Sequence, residues 1–451
     1  MPRSGRLAAG LAGVLLLSGC AGSTPSTAVA SATTSRPAVA GTPLVTTAPT
    51  PTPPLLAPPA TIPPTQELIE FFAGRVAEEP DDADAQLELG LAVLQRIRET
   101  ADPSLYPAAE HALKAARRLR PGDALPLVGL GGVLLGKHEF ADALRIGNAA
   151  VKLGPSSTGA GAVVVDALIE LGRYDEAFAA VDRLVARSAD LTSLARLSYA
   201  RELQGDLPGA LEAMRRAAVA PGLAPENTAF ALALVGQLEQ QNGNPGEARA
   251  AYDSALELVP QHAPSIAGLG RLAVASGDLE AARTSFEQAV DILPTPEYVL
   301  ALGETLEAAG DAAGAQMQYD LARAQIQLLE ASGVVVDLDL ALFEADHGDA
   351  AKALALAETA YAATPTVRAA DALGWALHRA HREDEAWRRA QEALRLGSRD
   401  PRFRYHAGAI ALARGDAVAA RRHLEQALAT DPGFSATDAL GARRLLDRLG
   451  P

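Results

Sequence analysis

The sequence predicts an all-α fold built from a repeated pair of helices, and three observations predict it. Of its 451 residues, 48% are hydrophobic but only 4% are aromatic, so close packing must rely on small side chains. A chain of this kind favours helices over sheets. From residue 80 onward, a pattern of small residues returns about every 34 residues, which is typical of stacked helix pairs. The formal net charge of −15 argues against nucleic-acid binding, which needs a basic surface.

An alanine that recurs ten times, at spacings of 33, 34 or 38 residues, defines the register of the repeat. It is predicted to begin the second helix of each unit and stands at Ala109, Ala143, Ala177, Ala210, Ala248, Ala282, Ala315, Ala353, Ala386 and Ala420. Five residues earlier, seven units carry a glycine, which suits the left-handed end of the first helix: Gly172, Gly205, Gly243, Gly277, Gly310, Gly348 and Gly415. His138 and His381 occupy the same place in two other units and are predicted to cap the helix as glycine does.

Further small residues are predicted to let the two helices of a unit approach closely. Twelve residues before the aligned alanine, most first helices carry a glycine, for example Gly236 and Gly303. Six units close on a proline that stops the second helix, at Pro121, Pro155, Pro260, Pro294, Pro365 and Pro432. Extra residues predict a loop at 220–225 and one more helical turn at 324–333. An insertion near residue 100 is predicted to lengthen the inner loop of the first unit.

This pattern resembles the tetratricopeptide repeat (TPR) family over residues 80 to 432. The resemblance implies a right-handed α-solenoid of about ten helix-turn-helix units, with a capping helix at each end, within residues 66–450. A lone helix at 66–79 is predicted to cover the first repeat, and a helix at 435–449 to cover the last, with Leu440, Leu445, Leu446 and Leu449 facing inward. The predicted units lie near 83–122, 124–157, 158–190, 191–225, 229–262, 263–295, 296–330, 334–366, 367–400 and 401–434.

The first residues predict an export signal. Arg3 and Arg6 precede an apolar run at 7–17, which is too short to span a bilayer as a helix. The Leu-Ser-Gly-Cys sequence that ends at Cys20 resembles the lipobox of bacterial lipoproteins. It implies a signal peptide at 1–19, a diacylated Cys20 and an exported protein held by lipid on the outer face of the cytoplasmic membrane, or in the periplasm or outer membrane. The alternative is a soluble secreted protein with a chance cysteine.

A stalk is predicted between this cysteine and the helices. Residues 21–65 contain eleven prolines and a single charge, Arg36. Such a composition buries too little apolar surface to order the chain. Residues 20–65 are therefore predicted to be a disordered stalk that holds the folded part away from the membrane.

Three motifs match catalytic or metal sites only in part. Residues 131–137 match a phosphate-binding loop up to its last position, where His138 replaces the Ser or Thr, and they lie inside a predicted helix. His138 and Glu139 begin a zinc-protease motif, but Asp142 stands at its second histidine. His378 and His381 are three residues apart, with no third ligand nearby in the sequence. The sequence therefore predicts no enzyme activity, no metal and no cofactor.

The TPR resemblance implies that the first helices line a concave face. The positions that point into it are apolar near the N-terminus (Leu87, Leu91, Leu94, Leu125, Val128 and Leu135) and polar in the middle (Tyr199, Glu202, Gln237, Gln240, Arg271, Glu304 and Glu307). Residues 66–365 carry a net charge of −22, whereas residues 366–451 carry +4. Aromatic and arginine side chains together are typical of binding hot spots. The candidate contact patch is Arg368, Asp371, Trp375, His378, Arg402 and Tyr405; the alternative is that Trp375 belongs to the core and the arginines only aid solubility.

The leading functional hypothesis is a lipid-anchored, extracytoplasmic scaffold that binds a protein or peptide through the concave face and helps to assemble or stabilise an envelope complex. The lysine and asparagine set with which chaperone-binding TPR members hold a terminal carboxylate is absent. A solute- or glycan-binding accessory protein of a transporter or cell-wall enzyme is the alternative. A deep pocket walled by aromatic side chains would favour it.

Overall fold

The computed structural model describes residues 64–220 and 223–450, and this part of the chain is helical without strands. Its helices are α1 Thr65–Glu78, α2 Ala83–Thr100, α3 Tyr106–Leu119, α4 Leu125–Gly136, α5 Phe140–Leu153, α6 Thr158–Glu170, α7 Tyr174–Arg187, α8 Leu191–Leu203, α9 Leu207–Ala218, α10 Pro225–Gln241, α11 Pro245–Leu258, α12 Ala263–Ser276, α13 Leu279–Ile292, α14 Pro296–Ala308, α15 Ala312–Ala331, α16 Asp337–His347, α17 Ala350–Ala363, α18 Val367–Arg379, α19 Glu383–Ala393, α20 Pro401–Ala413, α21 Ala417–Thr430 and α22 Ala436–Leu449. The predicted signal peptide, Cys20 and nearly all of the predicted stalk lie outside the described residues.

Helices α2 to α21 form ten consecutive pairs, each packed against the next, with α1 and α22 at the two ends. The prediction of an all-helical solenoid with a helix at each end is therefore confirmed. Where the chain is described, none of its helices combines the length and the apolar character that crossing a bilayer requires.

The recurring small residues lie where helices meet. All ten aligned alanines are buried, with at most 2% of their surface exposed. A Cβ atom at Gly236 on α10 would stand 2.4 Å from the ring of Tyr252 on α11, so only glycine leaves room for that fully buried tyrosine. The low aromatic content follows, because each unit needs only one or two large side chains to fill the space between its small ones.

Most predicted helix ends have the expected backbone. His138 and His381 both have φ 59°, the left-handed conformation that the sequence predicted for them. Gly348 is an exception, with φ −141°, so its predicted left-handed conformation is wrong. The Glu344 carboxylate accepts a hydrogen bond from the Asp349 backbone N–H at 3.0 Å. A Cβ on Gly348 would collide with that carboxylate, so glycine is needed there for space and not for its φ.

The insertions have mixed outcomes. Helix α15 has 20 residues, which confirms the predicted extra turn. The insertion near residue 100 was predicted to lengthen the inner loop of the first unit, and this is wrong in part, because α2 continues through Thr100 and a 3₁₀ turn follows at Pro103–Leu105. Arg98 and Glu99 are good helix formers, which favours the extension of α2.

The solenoid winds tightly enough that its second turn lies directly on its first. The His138 ring Nδ1 is 2.6 Å from the Val335 carbonyl oxygen, and the Val367 backbone N–H donates to the Tyr174 hydroxyl at 2.9 Å. The Gln240 amide donates to the Asp431 carboxylate at 3.0 Å. Each contact joins residues between 191 and 197 positions apart. The loops inside units two, three and five therefore meet the loops that precede units eight and nine and helix α22.

Candidate partner-binding site

The six residues of the predicted contact patch belong to the first helices of two neighbouring units. Helix α18 carries four of them at spacings of three and four residues, which places them on one helix face, and α20 carries the other two. They are Arg368, Asp371, Trp375 and His378 on α18, and Arg402 and Tyr405 on α20. The ring of Trp375 lies 5.1 Å from that of His378 and 5.8 Å from that of Tyr405, so the structure brings these three together. The six residues have unequal access to solvent.

Trp375 is part of the core, with 6% of its surface exposed. Its indole ring stacks on the His406 ring at a centroid distance of 4.2 Å and an interplanar angle of 11°. Its Nε1–H donates to an Asp346 carboxylate oxygen at 2.6 Å. Trp375 therefore joins α18 to α16 and α20, and a partner could touch it only after these helices moved apart.

Asp371 is also buried, with 3% of its surface exposed. One of its carboxylate oxygens accepts a hydrogen bond from the His406 Nδ1 at 2.9 Å. Burial by itself disfavours a charged ring, but the neighbouring Asp371 carboxylate outweighs it and raises the pKa of His406 above its ordinary value. Asp371 is thus a buried residue whose carboxylate bonds to α20 within the chain.

His378 lies half-buried beside Trp375 and bonds to a local carboxylate. Its Nδ1 is 2.7 Å from the Glu383 carboxylate, and its ring lies 5.1 Å from that of Trp375. His381 is at the helix end, in the left-handed conformation. Among residues 64–220 and 223–450, no group of three or more histidine, cysteine, aspartate or glutamate side chains is arranged to hold a metal ion.

Arg402 and Tyr405 contact the last helix of the chain itself. The Arg402 Nε lies 3.7 Å from an Asp438 carboxylate oxygen on α22, and its Nη2 lies 4.0 Å from Glu304 on α14. A Cβ on Gly441 of α22 would stand 2.7 Å from the Tyr405 hydroxyl, so the backbone of α22 passes directly over that ring. Two residues predicted to bind a partner thus bind α22 in this structure.

A second group of charged side chains surrounds Arg368. The Arg368 Nη2 lies 3.9 Å from an Asp339 carboxylate oxygen on α16, and the charge of Arg368 also acts on Glu170 of α6, six units earlier in the chain. Burial raises the pKa of Glu170 to about 7 although Arg368 opposes the shift. The sequence did not reveal Asp339, Asp438 and Glu170 as site residues. Asp339 on α16 and Asp438 on α22 lie on helices that pack beside those of the two arginines, and only Glu170 on α6 is brought to Arg368 by the close winding of the solenoid.

Two further glutamates on the concave side share this behaviour. Burial raises the pKa of Glu202 to about 7, against the hydrogen bond that its carboxylate accepts from Gln241 at 3.1 Å. Burial likewise raises the pKa of Glu304 to about 7, against the opposing charge of Arg402. The concave side therefore holds three carboxyl groups that change charge near neutral pH.

These three glutamates predict how stability depends on pH. Since their folded pKa values lie above the ordinary value of 4.5, the folded state holds more protons than the unfolded state near neutral pH, and stability falls as pH rises through about 7. We expect the midpoint temperature of thermal unfolding to decrease as the pH is raised from about 6 to about 8. The decrease should be smaller in the variant Glu170→Gln/Glu202→Gln/Glu304→Gln. The variant keeps every histidine, so histidine titration cancels in the comparison. An equal pH slope in both proteins would contradict the prediction.

Comparison with known families bears directly on the repeat. Family models described as tetratricopeptide repeat match residues 104–158, 165–228 and 239–304. The chain is a tetratricopeptide repeat protein. No curated protein matches the sequence of this TPR protein.

Several solved structures are similar to this TPR protein. The Cut9–Hcn1 hetero-tetramer of the APC/C matches with 17% identity over 86% of this chain and 67% of that chain, at a TM-score of 0.39. A human IFIT1 dimer with PPP-AAAA matches with 15% identity over 74% of this chain and 78% of that chain, at a TM-score of 0.44. A tetratricopeptide repeat protein from Parabacteroides merdae matches with 17% identity over 58% of this chain and 99% of that chain, at a TM-score of 0.34. The identities and TM-scores are low, so nothing about a partner follows from them.

The segment that resembles a phosphate-binding loop has a packing role in the TPR fold. Its glycines lie inside α4, where a Cβ on Gly131 would stand 2.6 Å from Val163. Lys137 pairs with Glu139 at 2.5 Å, so its charge is engaged within the chain. The motif therefore reflects the small residues that the repeat requires.

Two surface clefts of the TPR solenoid stand out. One, of about 780 Å³, is lined by residues 79–83, 119 and 120, and the other, of about 590 Å³, lies between α9 and α10. Neither cleft is lined by an aromatic side chain, and neither includes the contact patch.

Proposed function

We propose that the chain is an exported, lipid-anchored scaffold that binds a protein partner through the concave side of its TPR solenoid and helps to assemble or stabilise a complex of the cell envelope. The family makes protein binding the expected activity, and the observation that carries the site is the set of charged side chains on α14, α18 and α20. Among Glu304, Arg368, Asp371, His378 and Arg402, the side chain of Arg402 has the largest exposed fraction, 38%. The anchor is supported by the Leu-Ser-Gly-Cys sequence at Cys20 and by the apolar run before it.

The test is cross-linking of the full-length chain in intact membranes, followed by identification of the captured proteins. The wild type is expected to capture a defined partner, and Arg402→Ala to lose most of that capture, because a guanidinium at the centre of an interface commonly supplies about 2 kcal/mol or more. Arg414→Ala is the matched control: this arginine follows the same helix but pairs with Asp384 at 3.0 Å, away from the patch. Equal loss from both variants, or no defined partner, would refute the concave site.

The same membranes test the anchor. Cys20→Ser removes the only sulfur that could carry lipid, since the chain has one cysteine. Two acyl chains, each methylene contributing about 0.8 kcal/mol, hold a protein stably on a bilayer, so the variant should leave the membrane fraction entirely. Retention of the serine variant after a carbonate wash would show that something other than lipid holds the chain.

A further inference from the structure

The last helix, α22, packs across two first helices of the solenoid, α14 and α20. It packs on α20 and α21, its neighbours in the chain, and also on α14, which belongs to a unit three repeats earlier. The repeat helices pack mainly on their neighbours in the chain and meet the other turn of the solenoid through loops and helix ends. The positions it covers, Glu304 on α14 with Arg402 and Tyr405 on α20, are those through which we propose that a partner binds.

The contacts of α22 combine small apolar side chains with a charge at the start of the helix. Its buried residues are Ala436, Ala439 and Ala442, at spacings of three. The Ser435 hydroxyl caps the helix by accepting a hydrogen bond from the Asp438 backbone N–H at 3.0 Å, and it also bonds to Glu304. The Asp438 carboxylate faces Arg402 at 3.7 Å. The groove thus recognises a helix with an acidic first turn and a stripe of small residues.

This packing holds α22 less firmly than the helices of the repeats. Its buried side chains are all alanines, which remove little apolar surface from water, and the leucines predicted to face inward are only half-buried. By comparison, α18 and α20 bury large residues such as Trp375 and Ile410. The segment before α22 is held independently of it, because Asp431 bonds to Gln240 and a Cβ on Gly433 would collide with the Arg271 carbonyl. These contacts do not involve α22, so a release of the helix at residues 434–435 would leave them in place.

We propose that α22 is a displaceable occupant of the partner groove, and that the partner supplies a helix of the same chemistry, with an acidic residue in its first turn and small residues every third or fourth position. This inference rests on the proposed function, of which it names the partner class. While α22 occupies the groove, only the fraction of molecules with the helix released can bind a partner, which weakens the apparent affinity by that fraction.

The test uses a fluorescent peptide of residues 434–450 as the probe and the full-length chain as the receptor. In the variant Asp438→Lys/Gly441→Leu, a lysine faces Arg402 and a leucine meets the Tyr405 hydroxyl, so α22 leaves the groove. We expect this variant to bind the peptide about tenfold or more tightly than the wild type does, since the competing helix is gone. Asp447→Lys is the matched control: it makes the same charge change on an exposed part of α22 and should leave peptide binding unchanged.

A second variant exchanges the charges of Arg402 and Asp438 across the groove, and it does not depend on the first variant folding correctly. The chain with Arg402→Glu should reject the natural peptide and bind a peptide carrying lysine at the position of Asp438, because only a direct pairing across the groove reverses the preference. The proposal is overturned if neither variant gains peptide binding, or if Arg402→Glu keeps the wild-type preference. Peptide binding without any partner captured from membranes would refute only the proposed function, whereas partner capture without peptide binding would refute only this inference.

Discussion

Replacing Arg196 with alanine is expected to lower the free energy of unfolding by about 3 to 5 kcal/mol, the cost of leaving one member of a buried ion pair alone. Arg196 on α8 meets Asp166 on α6 through two parallel hydrogen bonds of 2.8 and 2.5 Å, and both side chains are at most 7% exposed. A third bond, at 2.8 Å, joins the guanidinium to the Thr192 carbonyl. Truncation would leave the Asp166 carboxylate dry and unpaired between two neighbouring units.

Urea denaturation followed by far-UV circular dichroism measures this effect, and the same helix offers a control. Arg201 on α8 pairs with Asp206 at 2.6 Å, but their side chains are 44% and 43% exposed. Arg201→Ala should therefore cost less than about 1 kcal/mol. The double variant Asp166→Leu/Arg196→Met should recover much of the loss, because apolar residues of similar volume often replace a buried pair without penalty. Equal losses from Arg196→Ala and Arg201→Ala would contradict the assignment of Arg196 to the core.

Replacing Trp375 with alanine is expected to lower the free energy of unfolding by about 3 to 5 kcal/mol, as for other large aromatic side chains removed from a core. The change empties the space beside His406 and removes the indole N–H that donates a hydrogen bond to the Asp346 carboxylate. Loss of partner binding in this variant would therefore accompany loss of stability, unlike the loss expected for Arg402→Ala.

The second tryptophan of the chain is the control. Trp387 is half-buried, and the Arg414 guanidinium lies over the Trp387 ring, 5.5 Å from its centroid. Trp387→Ala should therefore lower the free energy of unfolding less than Trp375→Ala does. Because the chain has two tryptophans, Trp387→Phe leaves Trp375 as the only indole reporter, and its emission should be that of a buried ring until unfolding. Emission from that protein at a solvent-exposed wavelength before unfolding would place Trp375 at the surface.

The local rules of the repeat could be predicted from the sequence, whereas the way the repeats wind could not. The aligned alanines, Gly236 beneath Tyr252 and the left-handed histidines follow from contacts between helices close together in the chain. The winding depends on a small rotation between units, added over six of them. The pairing of Gln240 with Asp431 therefore leaves no local signal, although both residues are polar and buried.

The same limit explains the outcome for the candidate site. The helix of each patch residue could be assigned by its place in the repeat, and Trp375, His378 and Tyr405 do lie together. Their burial could not be assigned, because Trp375 and Asp371 are covered by α16 and α20, and α22 covers Arg402 and Tyr405. Whether Arg368, His378, Arg402 and Tyr405 contact a partner stays a prediction.

The contact of one solenoid turn with the next changes how this chain folds. In an ordinary array each repeat touches only its neighbours, so folding can begin anywhere and spread by local steps. Here the bonds from His138 to Val335 and from Gln240 to Asp431 join residues nearly two hundred positions apart. Such contacts raise the contact order, and their loop-closure entropy must be overcome late, once both turns exist. We therefore expect the two turns of the solenoid, apart from α22, to unfold as one cooperative unit that forms more slowly than a short array of the same repeats.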